Sequence, residues 1–414
     1  MALLFPPKIA ARSEETSLAW TIVPFLVSLI SNFYLSYPTK VALCLSVAVI
    51  VVMAASARLI GPRRLPDVLL VLSLGWLMIY SFQSDYKIIG GDLLPIVQAA
   101  AHNMIHGQDP YTADYSAVTS NLFYYLPLQW LPFMPTAALA ADPRLVNVLA
   151  FIAIVLLTRV LIKDEGSLTA ARSVLFPVLF SHLFTLAAAR SYMGPYWGLV
   201  YLFVIALTTQ RDVWAAVLLG LLLASRQTAL ALAAATLAGV VRYQSPIRLL
   251  QLAAVTIGIA GLVLGPFIIW HHSLLYETFL RLPEQELVKV LENPVATAQI
   301  GIMPILRHIG LPNHSLFVQA IIAIFTLGLI AVRCPDDRTT LTILIGAMDL
   351  VMIAAGGQVF EYYFGTGLLI VSSALMFPPR PLTSPGADFA RTSWRGPVQT
   401  GYARPRHPKT RGKA

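Results

Sequence analysis

The chain has 414 residues, of which 57% are hydrophobic and only 12% are charged, and its mean hydropathy is +0.71. Ordinary globular proteins carry about 25% charged residues, so this composition excludes a soluble globule and indicates a polytopic membrane protein. The two cysteines, Cys44 and Cys334, are too few for a disulfide framework, and we expect both to be small buried hydrophobic residues.

Most of the net charge of +9 belongs to the segment 378–414, which carries eight Lys or Arg and one acid. A basic, Pro-rich tail after the last apolar run is typical of a cytoplasmic segment attracted to anionic lipid. It has no recognition motif for nucleic acid, so we expect no nucleic-acid partner. We expect the tail to be disordered and residues 1–377 to form a single transmembrane domain.

Crossing the hydrocarbon takes about 20 mainly apolar residues, so the chain has room for roughly ten to twelve transmembrane helices. The first apolar run has no small-residue cleavage site and is expected to be retained. The predicted spans are Leu18–Tyr37, Val41–Ala57, Val68–Phe82, Leu145–Ile162, Ser173–Ala189, Tyr196–Thr208, two short spans within Val213–Val241 broken near 225–227, Leu249–Trp270, Leu316–Val332, Leu341–Ala355 and Tyr362–Phe377.

The basic residues predict the orientation of these spans. Positive residues mark cytoplasmic loops, and the cluster Arg58–Arg64 therefore places the N-terminus inside. The alternation that follows places the C-terminus inside as well. It also makes 83–135 the first large outer loop and 271–313 a second outer loop, which includes a short helix predicted near Ala298–His308.

The stretch Gly90–Leu131 stands out because it carries several acidic residues between apolar runs. Asp92 follows a Gly pair, an amphipathic helix is predicted over Leu93–His106, and a turn over Gly107–Tyr111. The Pro-containing piece Leu122–Pro132 predicts a helix that lies at the interface or dips into the bilayer without crossing it. Its expected interfacial anchors are Tyr124, Tyr125 and Trp130.

Asp92 is the strongest candidate for catalysis. A carboxylate at the membrane surface can take the proton of a sugar hydroxyl as that hydroxyl attacks an anomeric carbon, which is general base catalysis. An Asp before an amphipathic helix is also a common N-cap, whose oxygens accept the first free backbone N–H groups. From the residues alone both roles stay open, with the cap favoured.

Two arginines are candidates for binding phosphate. Arg226 interrupts an apolar run, where a cation is costly unless it faces a cavity, pairs with an acid or snorkels to the interface. A guanidinium binds phosphate oxygens through two parallel hydrogen bonds, so a lipid-linked phosphate would suit it. A snorkelling arginine or the partner of a buried acid explains Arg226 equally well. Arg190, on the same predicted outer side, is the weaker second ligand.

Other polar residues have ordinary explanations beside functional ones. His102 and His106 would share a helix face, which suits an interfacial polar face better than a metal pair, so we expect no metal. His271 closes a span as an interfacial anchor or a substrate contact. Glu361 lies at the mouth of the last span, where it ends a helix or lines an acceptor site. No P-loop, GxSxG or GxGxxG after a strand is present to support nucleotide or serine-hydrolase chemistry.

The segments GGDLLPIVQAAAHNMIHGQDPY and FYYLPLQWLPF resemble the signature region of the polyprenol-phosphate-dependent glycosyltransferases of the GT-C class, above all glycosyltransferase family 87, which includes mannosyltransferases. In that family an Asp begins an outer amphipathic helix, and a small-residue pair, a Gly-x-x-Pro-Tyr turn and an aromatic-Tyr-x-Pro-Leu helix follow. The matching residues here are Asp92, Ala99 with Ala100, Gly107 with Pro110 and Tyr111, and Tyr125 with Pro127 and Leu128.

The resemblance implies a GT-C-like bundle with juxtamembrane helices in the first outer loop and Asp92 as the catalytic base. It also implies that Arg226, in LLGLLLASRQTALAL where the family has a basic residue, holds the donor phosphate. Asp109 and Asp114 are then expected to be turn residues. The family's Gly-Gln-x-Asn and His-Tyr segments are not matched here, which leaves the sugar and the acceptor open.

We therefore expect an all-α polytopic enzyme of the inner (plasma) membrane. It would transfer a sugar, mannose or another hexose or pentose, from a polyprenyl-phosphate donor to a lipid or glycan acceptor on the extracytoplasmic face, with inversion and without a cofactor. Candidate substrate contacts are Tyr111, Tyr125, His271 and Glu361. The alternative is a transporter or flippase of a lipid-linked or small polar solute, which would need ionisable residues near the bilayer midplane and broken helices. We expect the ionisable residues at the outer rim, which favours the enzyme.

Overall fold

A computed structural model describes residues 14–61, 64–83, 93–116, 123, 125–162, 165–241, 244–278, 309, 315–332, 337–354 and 364–377. Over these residues the chain forms helices and no β-strand. A 3-10 turn, Leu131–Phe133, and a π-helical turn, Ala171–Leu175, separate some of them. The helices are α1 (Glu14–Ser36), α2 (Thr39–Ile60), α3 (Leu65–Phe82), α4 (Leu93–Ile105), α5 (Pro127–Trp130), α6 (Met134–Ala138), α7 (Arg144–Leu161), α8 (Glu165–Ala170), α9 (Phe176–Leu179), α10 (His182–Arg190), α11 (Met193–Thr208), α12 (Asp212–Leu223), α13 (Ala229–Val240), α14 (Pro246–Trp270), α15 (Leu274–Tyr276), α16 (Ser315–Val332), α17 (Arg338–Ala354) and α18 (Phe364–Ala374).

The protein is an all-α polytopic membrane protein, as predicted. Within the described residues, four helices are each long and apolar enough to cross a bilayer: α2, α3, α7 and α14. If the bent series α8 to α10 is counted as one broken span, the total is five. Several further apolar helices, α11, α12 and α13 among them, are shorter than 18 residues. The count of ten to twelve crossings stays a prediction, and the tail 378–414 lies outside the described residues.

Contacts at the helix ends show that α3 and α7 run antiparallel. Near the start of α3, Asp67 forms ion pairs with Arg159, near the end of α7, and with Arg172, whose Nη2 lies 3.2 Å from Asp67 Oδ1. At the other ends of these helices, the guanidinium of Arg144 lies 5.2 Å from the centre of the Phe82 ring. The chain between α3 and α7 therefore returns to the end of the bundle that it leaves, as predicted for the first outer loop.

The direction of α11 follows from its contacts with α7. Asn147, near the start of α7, accepts a hydrogen bond from the N–H of Gly194 at 3.1 Å, and Thr158 Oγ1 lies 2.5 Å from the hydroxyl oxygen of Tyr201 further along both helices. The two helices are therefore parallel, and α11 ends on the same side of the bundle as the Asp67 ion pairs.

A second polar cluster lies where α12 begins, three residues after α11. Arg338 Nη1 donates to Asp212 Oδ1 at 2.7 Å, and Gln244 Nε2 donates to Asp212 Oδ2 at 3.0 Å. Because Gln244 follows α13, the helices α12 and α13 form a hairpin with residues 224–228 at its tip. The arginines of both clusters fall on the side that the positive-inside rule predicts to be cytoplasmic.

The segment between α3 and α7 forms short helices at the opposite end of the bundle. As predicted, α4 is amphipathic, with Leu94 and Val97 fully buried, and it ends at Gly107, whose φ of +73° suits a glycine C-cap. Within the predicted helix Leu122–Pro132, the described residues form the short helix α5 and the first part of the 3-10 turn, and α6 follows beyond that range. Trp130 is fully buried, so its predicted role as an interfacial anchor is wrong.

The predicted span Ser173–Ala189 belongs to a bent series of helices, in which the chain turns by 52° between α9 and α10. The break lies at Ser181, whose backbone is extended with ψ of 161°. Pro177, four residues earlier, has no backbone N–H and weakens the helical hydrogen-bond ladder just before the bend. Side chains of α1 bind the carbonyl groups at the bend. Ser28 Oγ donates to the Pro177 carbonyl at 2.7 Å, and Asn32 Nδ2 donates to the Phe180 carbonyl at 2.6 Å. The bend is thus stabilised by a neighbouring helix in place of water.

Two of the three longest helices, α2 with 22 residues and α14 with 25, lie at the edge of the bundle. Most of their apolar side chains are exposed in the protein, as expected of helices that face lipid. Cys44 is one of the exposed residues of α2, so the prediction that it is buried is wrong. Cys334 lies outside the described residues.

We predict that Asn32→Leu destabilises the protein by about 1–3 kcal/mol, because it leaves the buried Phe180 carbonyl without its donor. Thr185 Oγ1, which donates to Asn32 Oδ1 at 2.8 Å, would lose that acceptor as well. The measurement is the midpoint of thermal unfolding in detergent. Ser31→Ala is the matched control, because its exposed hydroxyl bonds only to the Val27 carbonyl within α1. Equal midpoints for Asn32→Leu and Ser31→Ala would contradict the role given to Asn32.

Candidate functional site

The tip of the α12–α13 hairpin is the predicted helix break, and it carries Arg226. Each arm has 12 residues, a length of roughly 18 Å, whereas the hydrocarbon of a bilayer is about 30 Å thick. The tip therefore ends inside the bundle, beneath α5, where the N–H of Leu128 donates to the carbonyl of Ala224 at 3.3 Å. Arg226 is only 8% exposed, so its side chain is buried within the bundle.

Three residues at the start of α11 surround the Arg226 guanidinium. Its Cζ lies 5.7 Å from the ring centres of both Tyr192 and Tyr196, and its Nη1 donates to Met193 Sδ at 2.8 Å. A cation over the faces of two aromatic rings is attracted by their quadrupoles, and the attraction is stronger away from water. The rings therefore reduce the cost of burying the charge of the guanidinium.

Asn147 holds the start of α11 in place. This fully buried residue of α7 donates from Nδ2 to the carbonyls of Ala188 at 3.0 Å and Ser191 at 2.5 Å, and its Oδ1 accepts from the N–H of Gly194. A Cβ on Gly194 would lie 2.6 Å from Asn147 Cα, so only glycine permits this approach. The turn that presents Tyr192 to Arg226 is thus set by one amide side chain.

Asp349 is a candidate site residue that the sequence analysis missed. It lies on α17, roughly 16 Å along the helix axis from Arg338, and is 5% exposed. Its charge is attracted to that of Arg226, and the backbone N–H of Gly367 donates to its carboxylate. Among the described residues its Oδ2 has no hydrogen-bond partner. A lone carboxylate in the apolar run Leu341–Ala355 was the available signal, since such residues usually have a partner within the bundle.

Glycines bring α17 and α18 close enough for this arrangement. A Cβ on Gly367 would lie 2.7 Å from the carbonyl oxygen of Gly346, so the two backbones are nearly in contact. On the other side of α18, Trp197 Nε1 donates to Thr366 Oγ1 at 3.2 Å. The carboxylate of Asp349 and the aromatic residues of α11 are therefore held on adjoining, tightly packed helices.

A line of aromatic residues extends from Arg226 to the loops at the end of the bundle. The Tyr192 ring lies 5.1 Å from that of Tyr125, whose carbonyl accepts from the Tyr111 hydroxyl at 3.0 Å. The His271 ring stacks on Tyr111 at 5.6 Å with an angle of 25° between the planes. The structure thus brings together four of the predicted site residues, Arg226, Tyr125, Tyr111 and His271, directly or through Tyr192.

The Tyr111 phenol is a partly buried hydrogen-bond donor. Trp130 Nε1 donates to its oxygen at 3.3 Å, and the phenol donates onward to the Tyr125 carbonyl. Burial raises the pKa of Tyr111 above its ordinary value, and this effect outweighs the hydrogen bond from Trp130, which lowers it. The phenol therefore stays protonated at neutral pH and acts as a fixed donor.

The two acids beyond α4 are turn residues, as predicted. Asp109 Oδ1 accepts from the N–H of Tyr111 at 2.9 Å, and Asp114 Oδ1 accepts from the N–H of Ser116 at 2.8 Å. Asp109 Oδ2 also lies 3.9 Å from His271 Nδ1. This contact joins the first outer loop to the end of α14, which the sequence did not predict.

The remaining predicted site residues are less closely connected. Arg190 lies at the exposed end of α10, where its charge acts on Tyr80, and no described contact links it to Arg226. Asp92 and Glu361 lie outside the described residues, although α4 begins at Leu93, the residue after Asp92. His102 and His106 share a face of α4 with ring centres 4.2 Å apart, and the described residues contain no group of three metal-ligating side chains.

Comparisons with family models, with curated proteins and with solved structures found no match to this chain.

We predict that Gly194→Ala lowers the melting temperature and disturbs the start of α11, because its Cβ would overlap the Asn147 backbone. The expected cost is about 1–3 kcal/mol. Gly198→Ala on the same helix is the matched control, because a Cβ there meets nothing within 4 Å. Thermal unfolding and the near-ultraviolet circular dichroism of the aromatic residues measure the two effects. A Gly194→Ala protein as stable as Gly198→Ala would show that the close approach does not constrain the turn.

Proposed function

We propose that this protein is an integral membrane glycosyltransferase that transfers a sugar from a polyprenyl-phosphate donor to a lipid or glycan acceptor on the extracytoplasmic face. The observation that carries the proposal is the buried Arg226 at the tip of a helical hairpin, covered by the segment that follows Asp92. A cation at that depth is costly unless it faces a polar or charged group. The charge of Asp349 is one such group. A lipid-linked phosphate would be another, and its chain would extend between helices into the bilayer.

The surroundings of Arg226 suit a phosphate. Its planar fork can donate two parallel hydrogen bonds to phosphate oxygens. The rings of Tyr192 and Tyr196 lie close enough to stabilise its charge. Burial strengthens the attraction, because the local dielectric constant is well below that of water. Arg190, at the end of α10, is proposed as a second ligand that meets the donor nearer the surface.

Asp92 is proposed as the general base. It directly precedes α4, and α4 packs against α6 and against α5, the short helix that covers the Arg226 tip. Gln98 Nε2 secures α4 by donating to the Ala141 carbonyl at 3.0 Å. A carboxylate at the start of a helix packed in this way would be held close to the donor site, although one of its oxygens must be free of any capping role.

The reaction balances with these groups alone. The acceptor hydroxyl loses its proton to Asp92 as its oxygen forms a bond to the anomeric carbon. The bond between that carbon and the phosphate oxygen breaks, and its electron pair leaves with the polyprenyl phosphate, which Arg226 stabilises. Attack from the face opposite the phosphate inverts the anomeric centre. Tyr111, Tyr125, His271 and Glu361 are proposed to contact the sugar or the acceptor.

We predict that Asp92→Asn lowers the transfer rate by about 10²-fold or more, because the amide cannot accept the acceptor proton. The measurement is transfer of radiolabelled sugar from polyprenyl-phosphate sugars in membranes that contain the full chain. Asp114→Asn is the matched control, since this exposed acid of the same loop only accepts hydrogen bonds from Ser116. Transfer by wild type and Asp92→Asn at equal rates would remove Asp92 from the reaction, and no transfer by wild type from any donor would contradict the proposed function.

We predict that Arg226→Ala weakens binding of a prenyl phosphate by about 10- to 100-fold, the effect of losing charge-assisted hydrogen bonds of about 1.5–3 kcal/mol. Arg226→Lys keeps the charge but not the fork, and should fall between wild type and Arg226→Ala. Arg248→Ala is the control, because its exposed side chain lies at the opposite end of the bundle. Unchanged affinity in Arg226→Ala would show that the guanidinium does not hold the phosphate.

A transporter or flippase is the second candidate, and a specific observation favours it. Arg226 and Asp349 are ionisable groups inside the bundle, and the α12–α13 hairpin and the α9–α10 bend are broken helices, features that transporters use to bind solutes. Proteoliposomes containing a fluorescent lipid-linked sugar distinguish the two. Movement of that lipid between leaflets without glycosyl transfer would favour transport.

A further inference from the structure

Where α5 covers the tip of the α12–α13 hairpin, two buried polar atoms have no hydrogen-bond partner in the described part of the chain. The first is the hydroxyl oxygen of Ser225, the fully buried residue before Arg226. Hydroxyls in helical turns often donate to a carbonyl four residues earlier, as Thr236 on α13 does to Leu232 at 2.8 Å. The Ser225 hydroxyl makes no such bond within the described residues, so it is available to a ligand.

The second atom is the side-chain oxygen of Gln129 on α5. Gln129 is 8% exposed, and this oxygen has no donor among the residues that the structure describes. The preceding residue, Leu128, donates its backbone N–H to the Ala224 carbonyl, and Leu126 and Leu128 pack in one cluster with Ala224. Gln129 and Ser225 each follow one member of this hydrogen bond in sequence. The packing of α5 on the tip therefore brings both residues to the same junction.

These two atoms have opposite requirements. A serine hydroxyl can donate a hydrogen bond, whereas the side-chain oxygen of glutamine can only accept one. Nearly all buried polar atoms of proteins are paired, and an unpaired one costs free energy in the folded state. A ligand that carries an acceptor for Ser225 and a donor for Gln129 would remove both costs at once.

A sugar phosphate has both groups, because its phosphate oxygens accept hydrogen bonds and the hydroxyls of its sugar donate them. The phosphate belongs on the Ser225 side, since Arg226 is the next residue and attracts an anion. Met193, the first residue of α11, contacts Arg226, and α13 begins three residues after Arg226. The partial positive charges of two helix N-termini therefore add to this attraction. The sugar is left to face Gln129 on α5.

We propose that Ser225 donates to the phosphate that Arg226 holds, and that the side-chain oxygen of Gln129 accepts a hydrogen bond from a hydroxyl of the sugar to be transferred. This inference rests on the proposed function, and it assigns two further residues to the donor site. Ser225 recognises the phosphate that every donor shares. Gln129 recognises the sugar and therefore takes part in the choice of donor.

Three probes separate the two contacts: farnesyl phosphoryl mannose, farnesyl phosphoryl arabinose and farnesyl methyl phosphate. All three are phosphodiesters with one negative charge, and only the last lacks a sugar. Calorimetric titration of the full-length protein in detergent measures the Kd of each. Wild type should bind at least one sugar diester more tightly than farnesyl methyl phosphate, because only a sugar can donate to Gln129.

Gln129→Met keeps the length of the side chain but removes the accepting oxygen. It should raise the Kd of the preferred sugar diester about tenfold, the effect of one lost hydrogen bond. The Kd of farnesyl methyl phosphate should stay unchanged. If Gln129→Met does not fold, Gln129→Asn, whose shorter side chain withdraws the oxygen, should show the same loss.

Ser225→Ala should raise the Kd of the sugar diester and of farnesyl methyl phosphate by the same factor, about five- to tenfold. Ser373→Ala on α18 is the matched control, because the Ser373 hydroxyl is also fully buried and has no partner among the described residues. It should leave both Kd values as in wild type.

Thermal unfolding without ligand distinguishes binding from a structural role of Ser225. An unpaired hydroxyl does not stabilise the empty protein, so Ser225→Ala should unfold at the same temperature as wild type or at a higher one. A midpoint several degrees lower would show a structural role and overturn the assignment of Ser225.

The outcomes also separate this inference from the proposed function. Equal binding of all three probes by wild type, or a Gln129→Met protein that keeps the preference for a sugar, would overturn the role of Gln129. Unchanged Kd values in Ser225→Ala would overturn that of Ser225. In each case weaker binding of the diesters by Arg226→Ala would leave the phosphate site standing. Failure of every probe to bind wild type more tightly than Arg226→Ala would overturn the proposed function and this inference together.

Discussion

The absence of water inside a bilayer is the constraint on which the rest of this structure depends. Wherever a helix is interrupted, carbonyls and N–H groups lose their partners in the same helix, and another part of the protein must bind them. The α9–α10 bend receives donors from α1, and the turn before α11 receives them from Asn147. The tip of the α12–α13 hairpin receives the N–H of Leu128. Each interruption therefore forms hydrogen bonds with a specific neighbouring element, and these bonds fix the positions of the residues around Arg226.

The same constraint explains why the candidate site lies where it does. Arg226 sits at one interruption, and the residues that surround it begin α11 just after another. A regular helix satisfies its own backbone hydrogen bonds, so only its side chains interact with neighbouring helices. At an interruption, backbone groups also need partners, and the turn can direct a charged side chain into the bundle. Tyr125 then links this interior to Tyr111 and His271 in the loops. A substrate that entered from these loops would pass aromatic rings over most of the path to Arg226.

Much of this arrangement could be predicted from the sequence, because it is recorded in local patterns. Apolar runs predict the helices, Gly107 predicts the end of α4, and the polar residues around Arg226 predict the hairpin tip. The bend after Pro177 and the burial of Trp130 were not predicted, since both depend on which helices become neighbours. The interaction between Arg226 and Asp349 joins residues more than a hundred positions apart. A hydropathy pattern does not predict which distant residues become neighbours. The roles of Asp92 and Glu361 remain predictions.

The exposed position of α2 and α14 has a consequence for how the sequence can change. Lipid chains accept any apolar side chain, so these long helices require hydrophobicity but not particular residues. The start of α11 is different, because Gly194 is fixed by its distance to Asn147 and Tyr192 by its distance to Arg226. Mutational drift would therefore be fast over the perimeter and slow over a few short interior segments. Two proteins of this design could keep those segments and share little else.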